Sequence, residues 1–328
     1  MNKTIGVFRT RLAPILMTGL AVVGCSLLAG GVVKPGVRHG SGPGPQESPE
    51  AGNVTIVVTP VVKNKKAAEA ADQLSADDFV VKENGRPQKI VSAKPAAGAP
   101  LIVEVLIQDN LRSRIDDEMK GLRTFIQELP PGSTVLTGYL TTGTLDVRQD
   151  FSSDLNAAAS SLRVLTHRAP YDPYIEVMEG LKRMDSQPPG RRMTILVSDG
   201  LDLSHGREDA NPENSIDLNR AIREAQQRGV SVFSFFEPTS EPGASERLDV
   251  TFGQGSLERI SEQTGGDSFL GPTDVVSLSP YLAQMKDEVA RQWLVTFQST
   301  TTGKGSRKLQ VSAEKNVHLA YPRGYMPK

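Results

Sequence analysis

Residues 100–109 read PLIVEVLIQD, and the chain continues as NLRSRIDDEMKGLRTFIQELPPG to residue 132. A near-continuous apolar run without polar alternation is what a strand covered on both faces needs, and such strands belong to parallel sheets. The segment behind it sets Ile115, Met119, Leu122, Phe125 or Ile126, and Leu129 at helical spacing, so one face of a helix is apolar. Asp116, Asp117 and Glu118 fall in the first turn of that helix, where negative charge meets the positive end of the helix dipole. Pro130, Pro131 and Gly132 stop it. Asp109 therefore stands just beyond the carboxyl end of a buried strand, the place where open α/β sheets bind their ligands.

The alternation runs on. Strands are expected in STVLTGYLTT (133–142), RRMTILVSDG (191–200) and VSVFSFFEP (230–238), with helices over 154–165, 172–184, 215–229 and 255–266. This order predicts an α/β domain over 100–272 with a doubly wound, mainly parallel sheet. Residues 53–95 read as β structure. NVTIVVTPVV alternates Val54, Ile56 and Val58 with polar neighbours, and Asn84-Gly85 between two strand-like runs is a two-residue hairpin turn. Residues 273–328 read as one helix, 279–290, and then three strand-like runs, the first of which holds Trp293 as a core residue. Two β pieces too small to stand alone are expected to pair with each other beside the inserted domain, as a small β-sandwich.

The first 33 residues are an export signal: Lys3, Arg9 and Arg11 with no acidic residue, then an apolar stretch from Leu12 to Val33. Cys25, the one cysteine of the chain, follows Val22, Val23 and Gly24, a sequence that resembles a bacterial lipobox. Lipidation at Cys25 is the expectation. Cleavage near Gly30 and retention as a signal-anchor are the alternatives, since the apolar stretch is just long enough to span a bilayer. Residues 34–52 are rich in Pro, Gly and Ser and form a flexible tether. A formal net charge of −1 over 328 residues gives no basic surface, so nucleic acid is not an expected partner.

LSADDFVVKENGRPQKI (74–90), the strand ending at Asp109, RRMTILVSDG, QTGGDSF (263–269) and RKLQVSAEKNVHLAYPRGY (307–325) together resemble the acidobacterial von Willebrand factor A (VWA)-related proteins, over roughly residues 53–326. The resemblance implies a VWA domain with a metal-ion-dependent adhesion site at the strand carboxyl ends. That site needs Asp-x-Ser-x-Ser after the first strand, a Thr from a second loop and an Asp from a third, a set of small oxygen donors suited to Mg²⁺. On this pattern Asp109, Ser113 and Asp199 are the metal residues, with Asp202 close by. Leu111 stands where a serine belongs, and Arg168 in RAPYDPY stands where the threonine belongs, with Thr166 two residues before it. The implied site is degenerate. A guanidinium from Arg168, Arg112 or Arg114 is expected to stand in for the metal against Asp109 and Asp199, the other reading being that these arginines are solvated loop charges. No cofactor is required on this reading, and Mg²⁺ is the one ion the site could take.

Other motifs are weaker. His167, His205 and His318 fit no metal spacing. Gly253, Gly255, Gly265 and Gly266 lack the Lys and Ser or Thr of a phosphate loop, and Ser198 lacks the glycines of a nucleophile elbow. The expected function is therefore non-enzymatic: an exported, envelope-tethered module that binds a protein partner through the strand-end rim. The alternatives are a metal-dependent enzyme or chelatase-type partner, and an inert structural protein of the envelope.

Overall fold

Every residue of the strand Leu101–Gln108 is buried, and its two neighbours in the sheet both run parallel to it. The computed structural model describes residues 52–112, 115–170, 172–239, 247–271, 277–315 and 317–327. The segments expected to be an export signal and a tether, with Cys25, up to residue 51, and Ser113 and Arg114, lie outside the described residues. No described helix is long and apolar enough to cross a membrane.

The chain opens with β1 (Asn53–Pro60), α1 (Lys65–Asp72), β2 (Phe79–Glu83) and β3 (Arg86–Pro95). It then builds the α/β part: β4 (Leu101–Gln108), α2 (Ile115–Gln127), β5 (Thr134–Leu140), β6 (Leu145–Ser152), α3 (Leu155–Ser161), α4 (Pro173–Arg183), β7 (Arg191–Ser198), α5 (Ile216–Arg228), β8 (Val230–Phe236), α6 (Arg247–Thr264), β9 (Ser268–Phe269) and α7 (Ser279–Ala290). It closes with β10 (Trp293–Gln298), β11 (Arg307–Ala313), β12 (Leu319–Ala320) and β13 (Gly324–Tyr325).

The α/β part holds a six-stranded sheet in the order β6-β5-β4-β7-β8-β9, parallel except for β6. Numbered within this domain the order is 3-2-1-4-5-6, that of a doubly wound sheet, with the switch point between β4 and β7. The strand β6 was not expected from the sequence. LDVRQDFS is mostly polar because an antiparallel edge strand covers only one side. Alternate residues of β4 feed two cores. Val103, Val105 and Ile107 pack with Met119, Leu122 and Ile126 of α2 and with α7, whereas Leu106 packs with residues of α4, α5 and α6. Glu104 points to that second side fully buried, its carboxyl pushed up to about 8 by burial, with Thr194 donating to it at 3.0 Å.

The flanking β pieces do pair, but as one sheet rather than a sandwich. Seven antiparallel strands run in the order β12-β1-β10-β3-β2-β11-β13. Because β10 from the C-terminal piece inserts between β1 and β3, the two pieces interleave edge to edge. The Asn84-Gly85 turn joins β2 to β3 with both residues at positive φ, 48° and 79°. One face of this sheet buries Val58, Val295, Phe297 and Leu309, and Trp293 lies in that core against Phe79, ring centroids 5.1 Å apart.

One guanidinium joins the two sheets. Arg191, at the start of β7 and 4% exposed, donates to the carbonyls of Ala96 (2.7 Å), Ala99 (3.0 Å) and Val289 (2.8 Å) and to Oε1 of Gln292 (2.7 Å). These acceptors sit where the chain passes between the sheets, before β4 and at the last turn of α7 and just beyond it. Replacing Arg191 by Met strands several buried acceptors, each worth about 1–3 kcal/mol when left unmade. Arg191→Met should therefore lower the urea-unfolding free energy by at least about 3 kcal/mol, with amide protection of Val54–Val58 lost first.

Candidate functional site

The carboxyl ends of β4, β5, β7 and β8 form the rim of the α/β part, and Asp109 leads into it from β4. Its side chain is fully buried. Oδ1 accepts from Nη1 of Arg163 at 2.8 Å and from the backbone N–H of Thr166 at 2.9 Å; Oδ2 accepts from the Thr166 hydroxyl at 2.5 Å. Arg168 approaches less closely, its Nε 3.6 Å from Oδ2, and is half exposed. Burial alone raises the Asp109 carboxyl, but the hydrogen bonds from Arg163 and Thr166 more than reverse this and hold it below its ordinary value.

Arg163 was not singled out in the sequence, yet among the described residues it is the closest cation to Asp109. The helix expected over 154–165 ends at Ser161, so residues 162–170 run as an irregular segment that folds Arg163 back toward β4. Its guanidinium lies 4.0 Å over the ring of Tyr139 in β5, the Tyr139 hydroxyl clasps its backbone at both N–H and C=O, and Asp146 of β6 takes its second nitrogen at 3.2 Å. The same Asp146 oxygen also accepts from Arg168 at 3.2 Å. Asp109, Asp146, Arg163 and Arg168 thus form one charge cluster, and Arg148 reaches it from 3.7 Å at Oδ1 of Asp146.

Arg112 takes no part in it. It bonds Glu237 at the end of β8, Nε to Oε1 at 3.1 Å. Leu111, at the position of a serine donor, is fully buried among the side chains of α2 and β4.

Asp199 follows β7 and, among the described residues, has no arginine against it. Its Oδ1 accepts from the N–H of Leu201 at 3.0 Å, while its own N–H donates to Gln108 at 3.2 Å, and burial pushes its carboxyl up to about 6. Of the three arginines expected to face these carboxylates, Arg168 stands 3.6 Å from Asp109 and Arg112 bonds Glu237, while Arg114 lies outside the described residues; the arginine against Asp109 is Arg163. Close backbone packing sets the Asp199 loop. A Cβ on Gly253 of α6 would lie 2.0 Å from the Asp199 carbonyl, so only glycine there lets the helix approach. Asp202 is buried, with Oδ1 accepting from the Ser204 N–H at 2.9 Å.

Apolar side chains also gather on this rim. Of the seven large apolar residues left exposed among the described residues, five stand on its loops and first helical turns: Val164, Ile175, Leu203, Ile216 and Leu248.

No protein-family model matches this sequence, and no curated protein matches it. Similar solved structures include von Willebrand factor A domains. A von Willebrand factor type A protein from Catenulispora acidiphila is 13% identical, with 86% of this chain and 74% of that chain covered and a TM-score of 0.41. The SpRpn10 VWA domain is 11% identical, with 58% of this chain and 97% of that one covered and a TM-score of 0.40. BatB from Bacteroides thetaiotaomicron is 14% identical, with 59% and 100% covered and a TM-score of 0.39. At these scores the likenesses are of shape alone and bear no weight on function.

The Arg163–Asp109 pair makes a pH-dependent prediction. A carboxylate held low contributes stability that is fully present above the unfolded value of about 3.9 and is lost as pH falls through the lower folded value. Removing one partner of a buried pair costs about 3–5 kcal/mol. Urea unfolding of Arg163→Met at pH 7 should show a loss near the lower end of that range, because Thr166 remains, and the loss should shrink markedly at pH 3.

Proposed function

We propose that this chain is a VWA-type interaction module that binds a protein partner through the rim, independently of Mg²⁺, and that it is exported and held at the cell envelope through its N-terminal segment, with Cys25 the lipidated residue. The observation that carries the binding reading is the placement of the exposed apolar side chains. Isolated exposed apolar residues are ordinary, but five gathered on the ligand-binding edge of a doubly wound sheet mark a surface that a partner covers.

Metal independence rests on the donor set. Mg²⁺ needs near-octahedral oxygen ligands. Here the Leu111 side chain has no oxygen to offer, both Asp109 oxygens already accept hydrogen bonds, and the Arg163 guanidinium pairs with Oδ1 of Asp109. The arginine pair of Arg163 and Arg168 does for Asp109 what a metal does elsewhere, by supplying fixed positive charge. The reading is one of binding rather than catalysis, since the sequence offers no nucleophile elbow and no phosphate loop.

Two measurements test this. Millimolar Mg²⁺ should leave the thermal midpoint unchanged, whereas an ion at 100 times its dissociation constant would add about 2.7 kcal/mol of stability, a shift easily seen. A partner captured from the native envelope should be retained when Mg²⁺ is left out of the buffer and lost with the double variant Leu203→Glu, Ile216→Glu. A partner that needs added Mg²⁺, or that the double variant keeps, overturns the proposal.

A further inference from the structure

Away from the Asp109 cluster, three metal-ligating side chains converge from separate elements. Asp172 is the N-cap of α4, His205 stands in the loop 199–215 between β7 and α5, and Asp217 lies in the first turn of α5. One ligand atom from each lies within 4.8 Å of the other two. We propose that Asp172, His205 and Asp217 bind a borderline divalent cation of the zinc class, which clasps the loop 199–215 to the N-terminal ends of α4 and α5.

The geometry is that of a ligand set. Nε2 of His205 lies 2.9 Å from Oδ2 of Asp217. Two donors bound to one cation at bond lengths of about 2.0–2.2 Å end up roughly 3–3.5 Å apart, so the pair takes an ion between them with little movement. Asp172 divides its two oxygens. Oδ1 caps α4 by accepting the N–H groups of Tyr174 and Ile175, both at 3.1 Å, while Oδ2 is met by the Ser204 hydroxyl at 3.4 Å, a long contact that a cation can replace. The helix cap thus fixes the carboxylate and leaves one oxygen for a ligand.

The charge balance points the same way. Asp172 and Asp217 are 6% and 1% exposed, and Asp202, 6% exposed, adds a third carboxylate whose field reaches both Asp172 and His205. The cations opposite them are Arg220, whose side chain is half exposed and bonds Oδ1 of Asp217 at 2.7 Å, and His205 when protonated. Three buried carboxylates thus face at most these two positive charges. A dication supplies the missing charge without a proton. One imidazole nitrogen with carboxylate oxygens suits Zn²⁺ or its first-row neighbours, not Mg²⁺, which prefers oxygen alone. The half-exposed His205 leaves an entry path, and a loop as long as 199–215 within a compact unit is of the kind that carries function.

The test uses the full chain and Zn²⁺ itself, with Mg²⁺ as the control ion. Calorimetric titration at pH 7.5 should show one saturable Zn²⁺ per chain and no heat of binding for Mg²⁺. His205→Ala should weaken Zn²⁺ binding roughly tenfold or more, a loss of the size that metal-site substitutions bring, whereas His167→Ala should leave it unchanged. Zn²⁺ should also slow tryptic cleavage after Arg207, an exposed residue of the clasped loop, in the unaltered chain but not in His205→Ala. Asp217→Asn should abolish binding. If that variant does not fold, the exposed His205 still decides the matter. Absence of a saturable site, or a Zn²⁺ affinity indifferent to His205→Ala, overturns the proposal. The site shares no residue with the Asp109 cluster, so either reading stands if the other falls.

Discussion

The two halves of this structure depend on a buried guanidinium. The chain leaves the seven-stranded sheet after β3, spends residues 101–290 in the α/β part, and returns as β10 between β1 and β3. Neither crossing is a regular element, and a crossing buried against a sheet leaves carbonyls to be satisfied. Arg191 satisfies those of both crossings at once, and Ala96 N–H closes the gap by donating to the Gln292 carbonyl at 2.7 Å. Burial pushes this guanidinium down to about 10, still far above neutrality, so it keeps its charge while sealed from water. The seven-stranded sheet is complete only once the intervening domain has brought residues 96 and 292 together. At the far end, Glu83 of β2 performs the matching task. Fully buried, it gathers Ser299, Thr301, Tyr325 and Arg307 from β10's exit, β11 and β13.

A second constraint governs the rim. A strand buried on both faces ends in carboxylates that cannot reach water, and each must be paired, protonated or bound to a cation. Three solutions stand side by side. Asp109 is paired with Arg163 and keeps its charge. Asp199, which has only amide donors, is driven toward its neutral form. Asp172 and Asp217 meet His205 in one cluster, with Arg220 bonding the far oxygen of Asp217. The chemistry of each position follows from which donors its neighbouring loops bring, not from the carboxylate itself. The glycine contact between α6 and the Asp199 loop shows how tightly that supply is fixed, since no side chain fits between the two backbones.

The doubly wound sheet was legible from residues 100–109 onward because burial on both faces writes itself as an unbroken apolar run, and helices write themselves at 3.6-residue spacing. The two-residue turn at Asn84-Gly85 and the core position of Trp293 were legible for the same local reasons. The loss of a hydroxyl at Leu111 was visible as a residue type. What the sequence could not say was which arginine meets Asp109. Arg163 lies in a stretch that reads as helix, and it reaches the carboxylate only because α3 ends at Ser161 and Tyr139 holds the segment that follows. Strand β6 was hidden by its polar composition, and the single seven-stranded sheet by the fact that strand order is a long-range property. His205, read alone, matched no ligand spacing, since Asp172, His205 and Asp217 come from three elements separated along the chain. Local periodicity and residue chemistry determined the elements and the missing donor. Pairings between residues distant in sequence, which depend on how helices and loops pack over the sheet, were decided by tertiary structure alone.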